Sequence, residues 1–175
     1  MKQVVGKNRV YNGFLNIDVL DIELSSGLTT KEEVMVRKNA AAALVYDLEN
    51  DTFVLAKQFR AGSESNLLEV VAGGVEEGES PVEGIQREVL EEIGYTSDNV
   101  KHLHSCYMSP GGCSEMIHIY YIEGRKVANG GGVDAEEEIE VVNMSLAELK
   151  RFNFEDAKTI IAIQSFLINH NGNKY

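Results

Sequence analysis

The chain has 175 residues, 43% apolar and 25% charged, with a net charge of −12. That is enough for one domain with a proper core, and the ordinary proportions exclude disordered and fibrous classes. An acidic excess with no basic run argues against long nucleic acid as a partner, although bound metal ions can still invert the local field for a small anion.

The N-terminal residues MKQVVGKNRVYNGF contain no long apolar stretch of the secretory type. Mixed alternation over 14–24 and 33–37 predicts strands, with a turn near Ser25, Ser26 and Gly27. Residues 40–47, AAAALVYD, read as a buried strand; their apolar run, Ala40 to Tyr46, is too short to span a bilayer. A turn at Glu49, Asn50 and Asp51 returns the chain as a hairpin partner over 52–59. Residues 67–71, LLEVV, predict a short strand.

The next segment, GGVEEGESPVEGIQREVLEEIGY, is a loop followed by a helix over about 81–93. Ser80 is a good N-cap, Pro81 suits the first helical position and Glu83 completes a capping box. Gly94 suits the position past the helix end. Val82, Ile85, Val89 and Ile93 form an apolar stripe that should face the core. Glu88, Glu91 and Glu92 fall on another face, at offsets where side chains are neighbours and like charges repel. Arg87 is placed to pair with Glu79 or Glu91. A short acidic run is commonly a solvated helix face. Three carboxylates in one turn also make a hard-cation site, with the ion keeping waters and bridging to phosphate.

After Gly94, segments near 99–108, 116–123 and 138–144 look extended. A short helix is expected over 146–151 and a longer one over 155–169, where Ile160, Ile161, Ile163, Phe166 and Leu167 give a broad apolar face. The layout implies a mixed sheet between helices in an α+β or α/β/α architecture. His102 and His104 read as ordinary strand histidines, Tyr120 and Tyr121 as core and core-edge residues, and Gly130, Gly131 and Gly132 either as a phosphate cradle or as a hinge for the acidic loop that follows. Cys106 and Cys113 form no framework and read as reduced thiols of a cytoplasmic protein.

Gly73, Glu79, Arg87, Glu88, Glu91, Glu92 and Gly94 fit the spacing Gly-x5-Glu-x7-Arg-Glu-apolar-x-Glu-Glu-x-Gly-apolar, with Val89 and Tyr95 at the apolar positions. By average residue usage this coincides by chance in roughly one of 10^8 windows. The pattern is the Nudix box, and the chain resembles a Nudix hydrolase over essentially its whole length. The resemblance implies an α/β/α sandwich with a mixed sheet and N-terminal antiparallel strands. It also implies one domain, with residues 1–38 as dimer-forming strands and 39–175 as the catalytic core.

The activity implied is Mg²⁺- or Mn²⁺-dependent cleavage of nucleoside diphosphates linked to another group. Glu88 and Glu92 would be the principal metal ligands, with Glu91 assisting catalysis and the carbonyl of Ala72 adding a ligand. Gly73 and Gly74 would line the substrate site.

Beyond the box the chain is similar to the ADP-ribose pyrophosphatases and the related GDP-mannose hydrolases. Pro110, about 16 residues past the box, occupies the place of a proline in those enzymes. GGGVDAEEEIEV resembles their acidic loop, where Glu137 matches a further metal ligand and Glu136 or Glu138 would flank it as the base. Ala135 departs from relatives that carry glutamate there. Arg60, Glu115 and Lys158 match substrate-contacting residues. Lys31, Glu32 and Glu33 would contribute to the partner's site in a homodimer.

The implied reaction is ADP-ribose to AMP and ribose 5-phosphate; the alternative is GDP-mannose to GMP and mannose 1-phosphate. A sensor that binds such a ligand without cleaving it is a remoter reading, because such modules tend to lose box carboxylates and here all are present. No nucleic acid or membrane partner is implied.

Overall fold

A computed structural model describes residues 1–127 and 138–171. The contacts divide the chain into two compact units, Met1–Asn39 with Tyr107–Met116, and Ala40–Cys106 with Ile117–Tyr175.

The first unit is built on a three-stranded antiparallel sheet of β1 (Gln3–Asn12), β2 (Asn16–Glu23) and β3 (Thr29–Val36). The turn after β2 carries Gly27 at φ 82, where the sequence placed it. The strand β1 was not expected. Its apolar residues do not alternate cleanly, and the ladder slips between Val4 and Gly6 and between Arg9 and Tyr11. Asp18 on β2 is buried and is held by Lys7 at 2.9 Å and by Arg9. Met35 of β3 bonds Gly112 and Ser114 of the 107–116 segment. Val4, Val5, Val10, Tyr11 and Phe14 are exposed.

The second unit carries a seven-stranded mixed sheet. Its strands are β4 (Ala40–Asp47), β5 (Thr52–Arg60), β6 (Ser65–Glu69), β7 (Val71–Gly74), β8 (Tyr95–Tyr107), β9 (Met116–Lys126) and β10 (Glu140–Met144). Its helices are α1 (Pro81–Glu88), continued as one π turn over Val89–Ile93, then α2 (Leu146–Leu149) and α3 (Ala157–Asn171). The central path runs β10-β5-β4-β9-β8. β4 pairs with β9 in parallel along its length, as its near-continuous apolar run requires of a strand buried on both faces.

The other edge of β4 is shared. Ala40–Ala43 pair with β7, and Val45–Asp47 pair with the start of β5. Beyond that point β5 pairs with β6 instead. The expected single strand over 67–71 is therefore two strands meeting at Val70. The Val70 N–H bonds Thr159 Oγ1 of α3 at 2.9 Å, which satisfies a buried donor at the crossing.

Alternation along β4 separates two apolar layers. Ala41, Ala43 and Val45 join Val54, Val71, Ile85, Val89 and Ile93 on the α1 side. Tyr46 and Phe53 face Phe166 of α3, with Phe53 and Phe166 centroids 5.1 Å apart. Ala162 and Ile163 of α3 are buried with them. Helices thus lie on both faces of the sheet, the architecture expected. Val82, assigned to the buried stripe, is instead 36% exposed. It lies in the first turn of α1, and the buried stripe begins at Ile85.

Candidate active site

The acidic turn is fixed from both ends. Ser80 and Glu83 form the expected capping box, with the Ser80 N–H donating to Glu83 Oε2 at 2.8 Å. At the other end Gly94 sits at φ 74, a left-handed position that suits glycine. Between them the helix widens into a π turn, an irregularity often found at functional sites. It keeps Val89 and Ile93 in the core while Glu92 is nearly buried and Glu91 reaches solvent.

Arg87 binds the loop to the helix more extensively than its sequence position suggested. It donates to Glu79 at 3.1 Å, Glu88 at 2.7 Å, Glu91 at 3.0 Å and the Gly74 carbonyl at 3.0 Å. The Glu79 bond, with those to Glu88 and Glu91, drives the guanidinium pKa upward, and the same Arg87 bond holds Glu79 below the usual carboxylate range. Among the described residues no group of three or more His, Cys, Asp or Glu forms a ready metal cage. A Mg²⁺ site does not need one, because that ion is commonly held by one or two carboxylates with waters and substrate phosphate.

Ala72, Gly73 and Gly74 lie on β7. A Cβ at Gly73 would come 2.0 Å from Glu88 Cδ and 2.1 Å from Oε1. The Glu88 carboxylate therefore rests directly on the Gly73 backbone, the residue after the Ala72 carbonyl. Carboxylate and carbonyl oxygens are the donors a hard divalent cation takes, so these residues fit the implied metal.

Arg60 ends β5 and Lys158 lies in the first turn of α3; both converge on Glu69 of β6. Arg60 grips it through Nε at 2.9 Å and Nη2 at 2.7 Å, and Lys158 Nζ donates at 2.5 Å. Lys158 also bonds Asp156 at 2.9 Å, and Asp156 accepts from the Thr159 N–H at 2.9 Å, fixing the start of α3. The bond to Glu69 raises the Arg60 pKa; the charges of Glu92 and Asp156 add to it. Glu69 was not singled out in the sequence, where it reads as one polar residue inside an apolar strand.

Glu115 lies in the first unit and pairs with Arg37 at 3.0 Å. Lys31, also there, pairs with Asp21 at 2.7 Å, and Glu32 and Glu33 are exposed on β3. Glu136 and Glu137 fall outside the described residues. A separate cavity of about 540 Å³ opens on the α3 side of the sheet among Tyr46, Tyr121, Phe166 and His170, and none of the residues expected at the site lines it. His102 bonds Ser105, which bonds His118, each at 2.8 Å.

The NUDIX domain model matches residues 36–163. The chain is 32% identical to a methanol dehydrogenase activator of Bacillus methanolicus over 169 residues, 93% of this chain and 91% of that protein. It is 37% identical to a GDP-mannose pyrophosphatase of Citrobacter koseri over 145 residues, 76% of this chain and 75% of that protein. A crystal structure of an ADP compounds hydrolase has the same fold, with a TM-score of 0.79, 22% identity and coverage of 99% of this chain and 97% of that one.

Proposed function

This chain belongs to the Nudix hydrolase family, and from that premise we propose that it uses Mg²⁺ or Mn²⁺ to cleave the diphosphate of nucleoside diphosphate sugars, with ADP-ribose yielding AMP and ribose 5-phosphate. The observation that carries this reading is the Glu88 carboxylate seated on the Gly73 backbone, at the head of an acidic turn that Arg87 holds in place. Glu88, Glu92 and the Ala72 carbonyl would hold the ion. When bound, the ion supplies Lewis acidity to the diphosphate and the attacking water. Arg60 and Lys158 would receive phosphate oxygens, a task suited to a guanidinium held in a fixed plane. Gly74 would line the substrate site beside Gly73, and Glu115 would contact substrate. Glu91 would assist from the exposed side of the turn, and Glu137 would add a loop ligand. Glu136 or Glu138 would accept the proton of the attacking water.

GDP-mannose is the second reading, favoured by the 37% identity to a GDP-mannose pyrophosphatase. We further propose a cytoplasmic homodimer. Exposed Val4, Val5, Val10 and Tyr11 on β1 support self-association, and no described helix is long and apolar enough to cross a membrane. Light scattering tests the dimer: twice the chain's 19.3 kDa supports it, and 19.3 kDa contradicts it.

The test of substrate is incubation with Mg²⁺ and, separately, ADP-ribose, GDP-mannose, NADH and diadenosine polyphosphate, with chromatographic identification of products. A nucleoside monophosphate and a sugar phosphate from ADP-ribose are expected, at a higher rate than from the non-sugar compounds. Faster cleavage of GDP-mannose would select the second reading, and equal rates on all would remove the sugar specificity.

A further inference from the structure

We propose that Glu69 is a positioning residue that holds Arg60 and Lys158 together as one cationic seat for the substrate diphosphate. The inference rests on the assignment of those two cations to the substrate made above.

Glu69 is 1% exposed and lies between apolar neighbours, Leu68 and Val70. A buried carboxylate persists in such a setting only when it is paired and hydrogen bonded. Its partners come from two separate elements, the end of β5 and the first turn of α3, so one carboxylate ties together groups far apart in sequence. The Arg60 pair uses the Nε–Nη2 edge of the guanidinium. That fixes the plane of the group and leaves Nη1 outside the bidentate pair, while the Arg60 side chain remains 39% exposed. Lys158, 12% exposed, is pinned between Glu69 and Asp156. The backbone at this point is itself anchored, because the Val70 N–H bonds Thr159 one residue beyond Lys158.

Arg60 also lies in the field of Glu92. A salt bridge serving stability alone would give the opposite pattern of effects: a lower melting temperature with unchanged substrate affinity.

Glu69→Gln keeps the shape and removes the charge. With Mg²⁺ present, calorimetric binding of methylene diphosphonate, a non-hydrolysable diphosphate, should weaken about tenfold; KM for the nucleoside diphosphate sugar should rise by a similar factor, with kcat changed less than about threefold. Glu69→Asp, which keeps the charge but is one methylene too short to reach both cations, should weaken binding in the same direction and covers the case in which the Gln variant does not fold. Either variant, folded and binding the diphosphonate as the wild type does, overturns the proposal. Wild-type protein that binds the diphosphonate but cleaves no nucleoside diphosphate sugar defeats the functional reading alone, and lost binding in the variants would still support the cationic seat.

Discussion

Gly73 is the described glycine at which an added methyl group would meet the closest contact. A methyl group there would overlap the Glu88 carboxylate, with 2.0 Å to Cδ, so the side chain proposed to bind the metal would have to move. Displacements of about 1 Å in a catalytic group can cost about a hundredfold in rate. Gly73→Ala should therefore lower kcat by about that factor with little change in melting temperature; wild-type turnover in this variant would show that the Glu88 position is not critical. Tyr95 has a different role. Its buried hydroxyl donates to Asp47 Oδ2 at 2.7 Å. Burial pushes the Asp47 carboxyl upward, but bonds from Asn50, from Tyr95 and from the Glu49 and Asn50 N–H groups outweigh it and hold the pKa below the ordinary 3.8. A carboxylate with a depressed folded pKa stabilises the fold fully above its unfolded value and loses that contribution as pH falls through the folded one. Tyr95→Phe should cost about 2 kcal/mol at neutral pH by removing a donor to a buried charge. Urea unfolding across pH should also show a shallower loss of stability below pH 3.8 in the variant than in the wild type.

At the scale of elements, α1 depends on its cap and on its buried stripe. Ser80→Ala removes the capping box and should cost about 1 kcal/mol. Ile85→Ala opens a cavity under the acidic turn at a site with no exposed surface and should cost about 2–5 kcal/mol in denaturant unfolding. Changes within experimental error would mean that the helix is held by its Arg87 bonds alone. This helix was legible in the sequence because caps, glycine and apolar spacing all agree over one short window. β4 and β5 were legible for the same reason, an apolar run beside a clear turn. β1 was not, since QVVGKNRVYN puts glycine and charges where alternation would be read and is exposed along nearly its whole length. The π turn has no local signal. The division of 67–71 into β6 and β7 arises from long-range pairing with β5 and β4, which no local pattern encodes. The box carboxylates were visible because their spacing falls within one helix. Glu69 was not, because its meaning comes from Arg60 and Lys158, which reach it from elements distant in sequence.

For the molecule as a whole, a net charge of −12 would repel an anionic substrate unless bound cations reverse the local field. Activity should therefore vanish with a chelator and return when Mg²⁺ or Mn²⁺ is added, and cleavage that persists in chelator would contradict a metal-dependent route. Glu92→Gln should remain folded, because the exchange is nearly isosteric, and should lose turnover. The most direct measurement is a calorimetric titration of Mn²⁺ into the wild-type protein and into Glu92→Gln, each with and without a nucleotide diphosphate present. Saturable uptake by the wild type, strengthened by nucleotide and much weakened in the variant, is the result expected. No uptake by well-folded wild-type protein under either condition would contradict the claim that this acidic turn holds divalent ions against a diphosphate.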